Sequence, residues 1–346
     1  MVHNEVSLKE FANLIQAVGN HVTVVGAGEP GVGKSSMLKL IAERMPTHEP
    51  RYIDAALLDL GDLQMPKVSD SVEFVPNKSF VSESGKPLIV MVDELGKAMR
   101  PVQNALLTLL LEKRIGTHKL PEGSIVFGTT NLATDGVGDK IEAHARNRVC
   151  FVTVKKPDAD EWLNWAMDNE VSPEVCAWVK QYPHALATYT DEAQKDNIYI
   201  FNPRKAQAAF VTPRSLEKAS HIIKTRDAVG DGVVASALCG CIGAAAALDL
   251  MAYVHVADKL TDWAIVIEKP DVAPVSDDQI ANMIMAYGAV TRVTKETIDA
   301  FMTYLGRLPS EIQIMFLSSL IKSSKAGWAV MNRSVTSACR KLEVYL

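Results

Sequence analysis

The sequence has no apolar run long enough to cross a lipid bilayer. Its longest uncharged stretch, residues 232–248, is rich in alanine and glycine and ends at Asp249. A membrane helix needs roughly 20 apolar residues, so we expect one buried helix here and no membrane partner. The first residues, MVHNEVSLKEFANLIQ, carry charges every few positions, which favours a helix over a signal peptide.

Cysteine is scarce, with five residues in 346, and no pair has the CxxC spacing of zinc or redox sites. A small, odd number of cysteines fits a reducing compartment, so we expect the cytoplasm. Cys239 and Cys241 are closest in sequence, but they have no second ligand pair and lie in the small-residue stretch. This context favours packing in the core over metal binding.

An excess of positive charge is also missing, because 36 Lys and Arg residues stand against 41 Asp and Glu residues, for a net charge of −5. Nucleic-acid binding needs clustered basic residues that neutralise phosphates, so nucleic acid is not the expected partner. The motifs Gly-x-Ser-x-Gly and His-Glu-x-x-His are absent. Nothing therefore supports a protease or serine-hydrolase activity based on these motifs.

What the sequence does contain is a phosphate-binding loop. Between a β-branched segment, HVTVVGAG, and an amphipathic segment, SMLKLIAERM, the residues GEPGVGKS satisfy G-x-x-x-x-G-K-[ST]. Glycines let backbone N–H groups curve around a phosphate, and a structural turn would not need the Lys-Ser pair. By itself the loop fits a kinase, a GTPase or a motor equally. The predicted nucleotide-binding residues are Gly28, Glu29, Pro30, Gly31, Val32, Gly33, Lys34, Ser35 and Ser36.

Two adjacent acids follow the apolar run PLIVMV, about 60 residues after the loop. Such a run is typical of a central strand buried on both faces, whose carboxyl end lies at the ligand-binding edge of the sheet. Asp93 is expected to hold Mg²⁺ together with the Ser35 hydroxyl, and Glu94 to polarise the attacking water as general base. Loop and acids together predict ATP binding and hydrolysis.

The remaining pattern divides the chain near Pro157. Residues 51–80 predict a strand followed by a loop or hairpin insertion, and residues 101–111 predict an amphipathic helix. A hairpin at EKRIGTHKLPEG precedes a central strand at SIVFGTTN, and FVTVKKPD closes the α/β part. The rest of the chain has mainly helical periodicity.

In order and spacing these segments resemble the AAA+ ATPases, within them the MoxR-like, dynein-related branch, over roughly residues 20–220. The resemblance is carried by GEPGVGKS, LIVMVDE, VQNALLTLLLEKRIGTHKLPEGSIVFGTTN, HARNRVCFVTV and VTPRSLEKAS. It implies an α/β P-loop NTPase fold, a parallel sheet flanked by helices, followed by an α-helical lid and a C-terminal helical region. The expected domains are residues 1–156 for nucleotide binding, 157–229 for the lid and 230–346 for the C-terminal region.

The same resemblance implies roles for polar residues outside the loop. Asn131 looks like sensor 1, which orients the lytic water, with Thr129 and Thr130 as weaker candidates. Arg148 occupies the position of the arginine finger, and Arg146 is the competing assignment. Arg214, in TPRS, resembles sensor 2 on the lid.

An arginine finger that reaches a neighbouring subunit requires head-to-tail contacts, so the resemblance implies a closed ring, a homohexamer. It also implies a chaperone-like ATPase that remodels or activates a protein substrate, with a von Willebrand factor A-type partner. Two alternatives stay open, an ATPase motor subunit acting on DNA and a nucleotide-gated assembly scaffold.

The sequence departs from the family in two places. Residues 62–66 (DLQMP) lack the glycine and one position of the family's Asp-Leu-x-Gly-x-Pro, and residues 230–346 carry no assignable motif. The hairpin at residues 114–119 lies where relatives carry an insertion facing the ring pore, and it fits an ordinary hairpin equally well.

Overall fold

The computed structural model describes residues 5–68, 70–132, 148–203 and 207–344. The chain forms two compact units, Met1–Lys156 and Pro157–Leu346. The first unit contains the loop and both acids, and the second is helical.

The first unit is built around a parallel β-sheet. Its elements are β1 (Glu5–Val6), α1 (Leu8–Val18), β2 (Val24–Ala27), α2 (Met37–Arg44), β3 (Glu49–Asp54), α3 (Leu60–Leu63), β4 (Gln64–Val68), β5 (Val72–Pro76), β6 (Leu88–Asp93), α4 (Arg100–Glu112), β7 (Arg114–Ile115), β8 (His118–Lys119), β9 (Ile125–Thr130) and β10 (Cys150–Val154). Within the described ranges the main sheet has the order β1-β10-β2-β9-β6-β3, and every neighbouring pair is parallel. The predicted α/β fold class is confirmed.

Both faces of this sheet are covered, which explains the continuous apolar run before the two acids. All six residues of β6 are buried. Because side chains alternate along a strand, Leu88, Val90 and Val92 pack with residues of α4, whereas Ile89 and Met91 pack with residues of α1 and α2. Burial on both faces is usual for parallel sheets, and it leaves the carboxyl ends of β2, β9 and β6 side by side at one edge.

Two small antiparallel hairpins accompany the main sheet. Strands β4 and β5 pair with each other after β3, and β7 pairs with β8 after α4. The hairpin after α4 was predicted and is confirmed, whereas residues 51–80 left a loop or a hairpin open and form a hairpin. The β4–β5 hairpin carries exposed apolar side chains on both strands, among them Val68 and Phe74.

The second unit is helical, as predicted. Its longer elements are α5 (Ala159–Asp168), α6 (Pro173–Gln181), α7 (Pro213–Ile223), α8 (Arg226–Val229), α9 (Asp231–Ile242), α10 (Ala244–Ala257), α11 (Trp263–Glu268), α12 (Gln279–Arg292), α13 (Ile298–Leu305), α14 (Ser310–Lys322), α15 (Ala326–Ala329) and α16 (Arg333–Lys341). One hydrophobic core runs from Ala159 to Cys339. Residues of this core lie on both sides of the boundary expected at residues 229 and 230, so the division into lid and C-terminal region stays a prediction.

The expectation of one buried helix over residues 232–248 is wrong. The segment forms α9 and α10, which meet at Gly243 with φ of 87°. A Cβ at this position would lie 2.9 Å from the carbonyl oxygen of Ala209, so only glycine fits the break. Leu248 and Cys239 are exposed and Cys241 is half-buried, which also contradicts core packing of Cys239. No helix in the described part of the chain is long and apolar enough to span a membrane.

Candidate nucleotide-binding site

The phosphate-binding loop joins β2 to a helical turn at Lys34–Ser36, which continues into α2. Gly31 and Gly33 have φ values of 76° and 107°, a region that other residues rarely adopt. Gly28 has a different constraint, because a Cβ there would lie 2.7 Å from the carbonyl oxygen of Val154. The glycines therefore permit both the curvature of the loop and its close packing on the end of β10.

Lys34 is buried at the carboxyl edge of the sheet. Its ammonium donates to the carbonyl oxygens of Gly28 at 2.5 Å and Glu29 at 2.8 Å, and to Oδ1 of Asn131 at 3.1 Å. These contacts hold the positive charge between the start of the loop and the end of β9. A lysine held in this way can meet the β- and γ-phosphates of a nucleotide.

The Ser35 hydroxyl donates to Oδ2 of Asp93 at 2.8 Å. Asp93 is buried at the end of β6, and the hydroxyls of Thr129 and Tyr52 also donate to its carboxylate. Burial, and after it the charge of Asp93, raises the pKa of the Tyr52 hydroxyl well above its usual value. The charged carboxylate is therefore fixed by hydrogen bonds on both of its oxygens.

The Ser35 and Asp93 oxygens fit Mg²⁺, which prefers hard oxygen ligands and is usually held by one or two carboxylates plus substrate phosphates. In the described ranges, no group of three or more His, Cys, Asp or Glu residues is arranged to hold a metal on its own. A magnesium ion held by Ser35 and Asp93 would complete its shell with water and with phosphate oxygens of the nucleotide.

Glu94 has the left-handed backbone conformation, with φ of 54° and ψ of 34°. Its Oε2 accepts a hydrogen bond from Nδ2 of Asn131 at 2.9 Å and lies 2.9 Å from Nζ of Lys97. Neither the strained backbone nor Lys97 was predicted. The only sequence signal for this ion pair is that Lys97 follows Glu94 by three residues, directly after the end of β6.

Asn131 lies between the lysine and the general-base candidate because β9 lies between β2 and β6. The side chain is buried and contacts Lys34 through its oxygen and Glu94 through its nitrogen. The weaker candidates have other contacts: Thr129 donates to Asp93, and the carbonyl oxygen of Thr130 accepts from the backbone of Gly28. Among the remaining loop residues, Val32 is buried and the Ser36 hydroxyl donates to the Gly33 carbonyl.

Of the predicted arginines, only Arg148 can be compared with this cluster, and it lies away from it. Arg148 is exposed, in the turn before β10. Because β10 is parallel to β2, with Cys150 opposite Val24, Arg148 lies at the amino edge, about 17 Å of strand from the loop edge. Arg214 is exposed in the first turn of α7 in the second unit. Arg146 lies outside the described residues.

One buried ion pair beside the loop was missed by sequence reasoning. Nζ of Lys156 lies 3.8 Å from Oε2 of Glu29, with side-chain exposures of 4% and 7%. Burial lowers the pKa of Lys156 to about 8, and the nearby Glu29 charge partly opposes this shift. The sequence shows two adjacent lysines after β10 but not which of them is buried.

Residues 24–154 match the family of ATPases associated with various cellular activities (AAA). This match implies nucleotide binding and supports ATP hydrolysis at the level of the family. It does not distinguish the MoxR-like branch from others. No curated protein matches the chain.

Several solved structures are similar to this chain at a low level. NtrX from Brucella abortus in complex with ADP is 15% identical, with 97% of this chain and 68% of that chain covered and a TM-score of 0.41. The RuvB Holliday junction branch migration motor from Thermotoga maritima is 16% identical, with coverages of 87% and 86% and a TM-score of 0.37. Similarity at this level carries no conclusion about what this chain acts on.

Proposed function

We propose that this chain, whose residues 24–154 form an AAA ATPase domain, is a ring-forming MoxR-like ATPase that remodels or activates a partner protein. The observation that carries the ATPase part is the continuous contact from Lys34 through Asn131 to Glu94. It links a phosphate-binding charge to a carboxylate positioned for general-base work. A turn that only bound phosphate would not need the contact between Asn131 and Glu94.

Each side chain has one task in the proposed reaction. Lys34 and the loop amides bind the β- and γ-phosphates, and Glu94 accepts a proton from the attacking water. Ser35 and Asp93 would hold Mg²⁺, which would supply charge neutralisation at the phosphates. Asn131 orients the water and Glu94, because its amide contacts the carboxylate directly.

The position of Arg148 supports assembly into a ring. An arginine at the amino edge of the sheet is too far from the loop edge of its own chain, so a contribution to catalysis requires the site of a neighbouring copy. A repeated contact of this kind is head to tail and closes into a ring when the rotation permits. We propose a homohexamer, with Arg214 of the second unit as sensor 2.

The partner is proposed to be a protein, with a von Willebrand factor A-type adaptor as in MoxR-like relatives, and the location to be the cytoplasm. The exposed apolar side chains of the β4–β5 hairpin support a protein partner, since apolar patches favour protein contacts. The net charge of −5 disfavours DNA.

The decisive experiment uses Glu94→Gln as an ATP-locked trap, with Glu43→Gln on the exposed face of α2 as the matched control. We expect the Glu94→Gln protein to bind ATP, to hydrolyse it at least about 100-fold more slowly, and to retain a ring with the partner protein bound. Normal turnover would disprove the assignment of Glu94. ATPase stimulation by DNA would favour the motor alternative, and negligible turnover by the unmodified protein with its partner present would favour the scaffold.

A further inference from the structure

We propose that Lys156 is a positioning residue for the phosphate-binding loop, acting through Glu29, and that this pair ties the loop to the end of β10. The proposal rests on the ATPase function above and adds a residue to the same nucleotide site. Glu29 is the second residue of the loop, and Lys156 is the last residue of the first unit. Their side chains form an ion pair of 3.8 Å, and both are almost completely buried.

The backbone around this pair is packed too closely for the two segments to move independently. Strands β2 and β10 are neighbours, with Ala27 opposite Thr153. One residue further, a Cβ on Gly28 would lie 2.7 Å from the Val154 carbonyl oxygen. The Glu29–Lys156 contact lies just beyond this close approach along both segments. The start of the loop and the end of β10 therefore form one packed unit.

Glu29 also connects this packed unit to the phosphate-binding lysine. Its backbone carbonyl accepts a hydrogen bond from Nζ of Lys34 at 2.8 Å. Because Lys156 holds the side chain of the same residue, a displacement of Glu29 would move the acceptor that Lys34 uses. Lys156 thus acts on Lys34 through one intervening residue, without contacting the phosphates itself.

The electrostatics argue that the pair serves geometry more than stability. Removing an ammonium and a carboxylate from water is costly, and a well-packed apolar pair of similar volume is often at least as stable. Burial lowers the pKa of Lys156 although Glu29 lies beside it, so the loss of hydration outweighs the attraction. Because burying these two charges costs free energy, we attribute to the pair a role in fixing the position of the loop.

The test compares Glu29→Gln, Lys156→Met, the double variant and Lys156→Arg, with Lys39→Met as a matched control. Lys39 pairs with Glu43 at 4.0 Å on the solvent face of α2, where both side chains are largely exposed. The measurements are the Kd of a fluorescent ATP analogue with Mg²⁺, kcat, and thermal unfolding to identify folded variants.

Each single variant should raise the Kd by about tenfold, as expected for coupled residues in contact, while kcat changes less than about twofold. The double variant should raise the Kd no more than either single variant, because both substitutions remove the same contact. Lys156→Arg should bind within about threefold of the unmodified protein, because it keeps a positive charge beside Glu29. In hydrogen exchange, ATP should slow the backbone amides of residues 150–156 in the unmodified protein and not in the single variants.

Three results would overturn the proposal. The first is that folded single variants bind ATP with an unchanged Kd and lose only thermal stability. The second is that the increases in Kd of the two single variants multiply in the double variant. The third is that ATP does not change the rate of amide hydrogen exchange of residues 150–156 in the unmodified protein. If Lys156→Met does not fold, the Kd values of Glu29→Gln, Lys156→Arg and the double variant test the proposal. Failure of the unmodified protein to bind ATP would instead overturn the proposed function.

Discussion

The amide nitrogen of Asn131 donates a hydrogen bond to Oε2 of Glu94 at 2.9 Å. The same side chain accepts from Lys34 at 3.1 Å, across 97 positions of sequence. One buried amide thus contacts the groups that we assign to phosphate binding and to proton abstraction. A change in the position of one group can reach the other through this amide.

Replacing Asn131 by alanine should therefore impair catalysis more than binding. We expect kcat to fall about 100-fold, the usual size of a lost orienting or charge-stabilising contact, with the Kd for ATP within about threefold. Steady-state ATPase assays and nucleotide titrations check this. Asn77→Ala, in the turn after β5, is the control and should keep normal turnover. A large loss of affinity with unchanged kcat would mean that Asn131 only supports Lys34.

Lys97→Met should lower kcat by about tenfold, because the Glu94 carboxylate loses the ion pair that holds it at 2.9 Å and spends less time oriented toward water. Nucleotide affinity should not change. Lys39→Met is again a suitable control, since Lys39 is an exposed lysine. Unchanged or faster turnover in Lys97→Met would show that the ion pair does not orient a productive base.

Arg148→Ala and Lys34→Ala should each abolish hydrolysis, yet a mixture of the two proteins should recover part of it. In a mixed ring, some interfaces combine an intact loop from one variant with an intact Arg148 from the other. Arg333→Ala, an exposed arginine in α16, controls for loss of charge. Failure of the mixture to recover activity would contradict catalysis across the interface, and the same mixing with Arg146→Ala tests the competing assignment.

Gly28→Ala should destabilise the first unit by about 1–3 kcal/mol, the usual cost of overpacking, because its Cβ would lie 2.7 Å from the Val154 carbonyl. Gly240→Ala is the contrasting case, since nothing lies within 4 Å of a Cβ there. In the interior of α9 it should stabilise by up to about 1 kcal/mol. Urea denaturation measures both, and equal effects would contradict the packing argument.

Lys156 should give the stability a specific dependence on pH. Its pKa falls from 10.5 to about 8 in the folded chain, so between these values the unfolded chain binds more protons at this position. Stability from this group therefore rises with pH across that window, by about 3 kcal/mol, and the full cost of burial is present below pH 8. Lys156→Arg stays charged and should lack the rise. Parallel curves of unfolding free energy against pH for the two proteins would contradict the prediction.

The sequence by itself determined the features that depend on neighbouring residues. The loop from Gly28 to Ser35 is a local motif, and the apolar run before Asp93 specifies a strand buried on both faces. The hairpin after α4 follows from a similarly local pattern. In each case the residues that define the feature are adjacent, so their spacing alone carries the information.

Only the tertiary structure decided which distant side chains meet and which backbone positions are constrained. The order of the strands places Asn131 between Lys34 and Glu94, and their direction places Arg148 at the opposite edge. The burial of Lys156 against Glu29 and the break at Gly243 depend on packing with segments far away in sequence. These features follow from strand register and close packing, which no window of adjacent residues encodes.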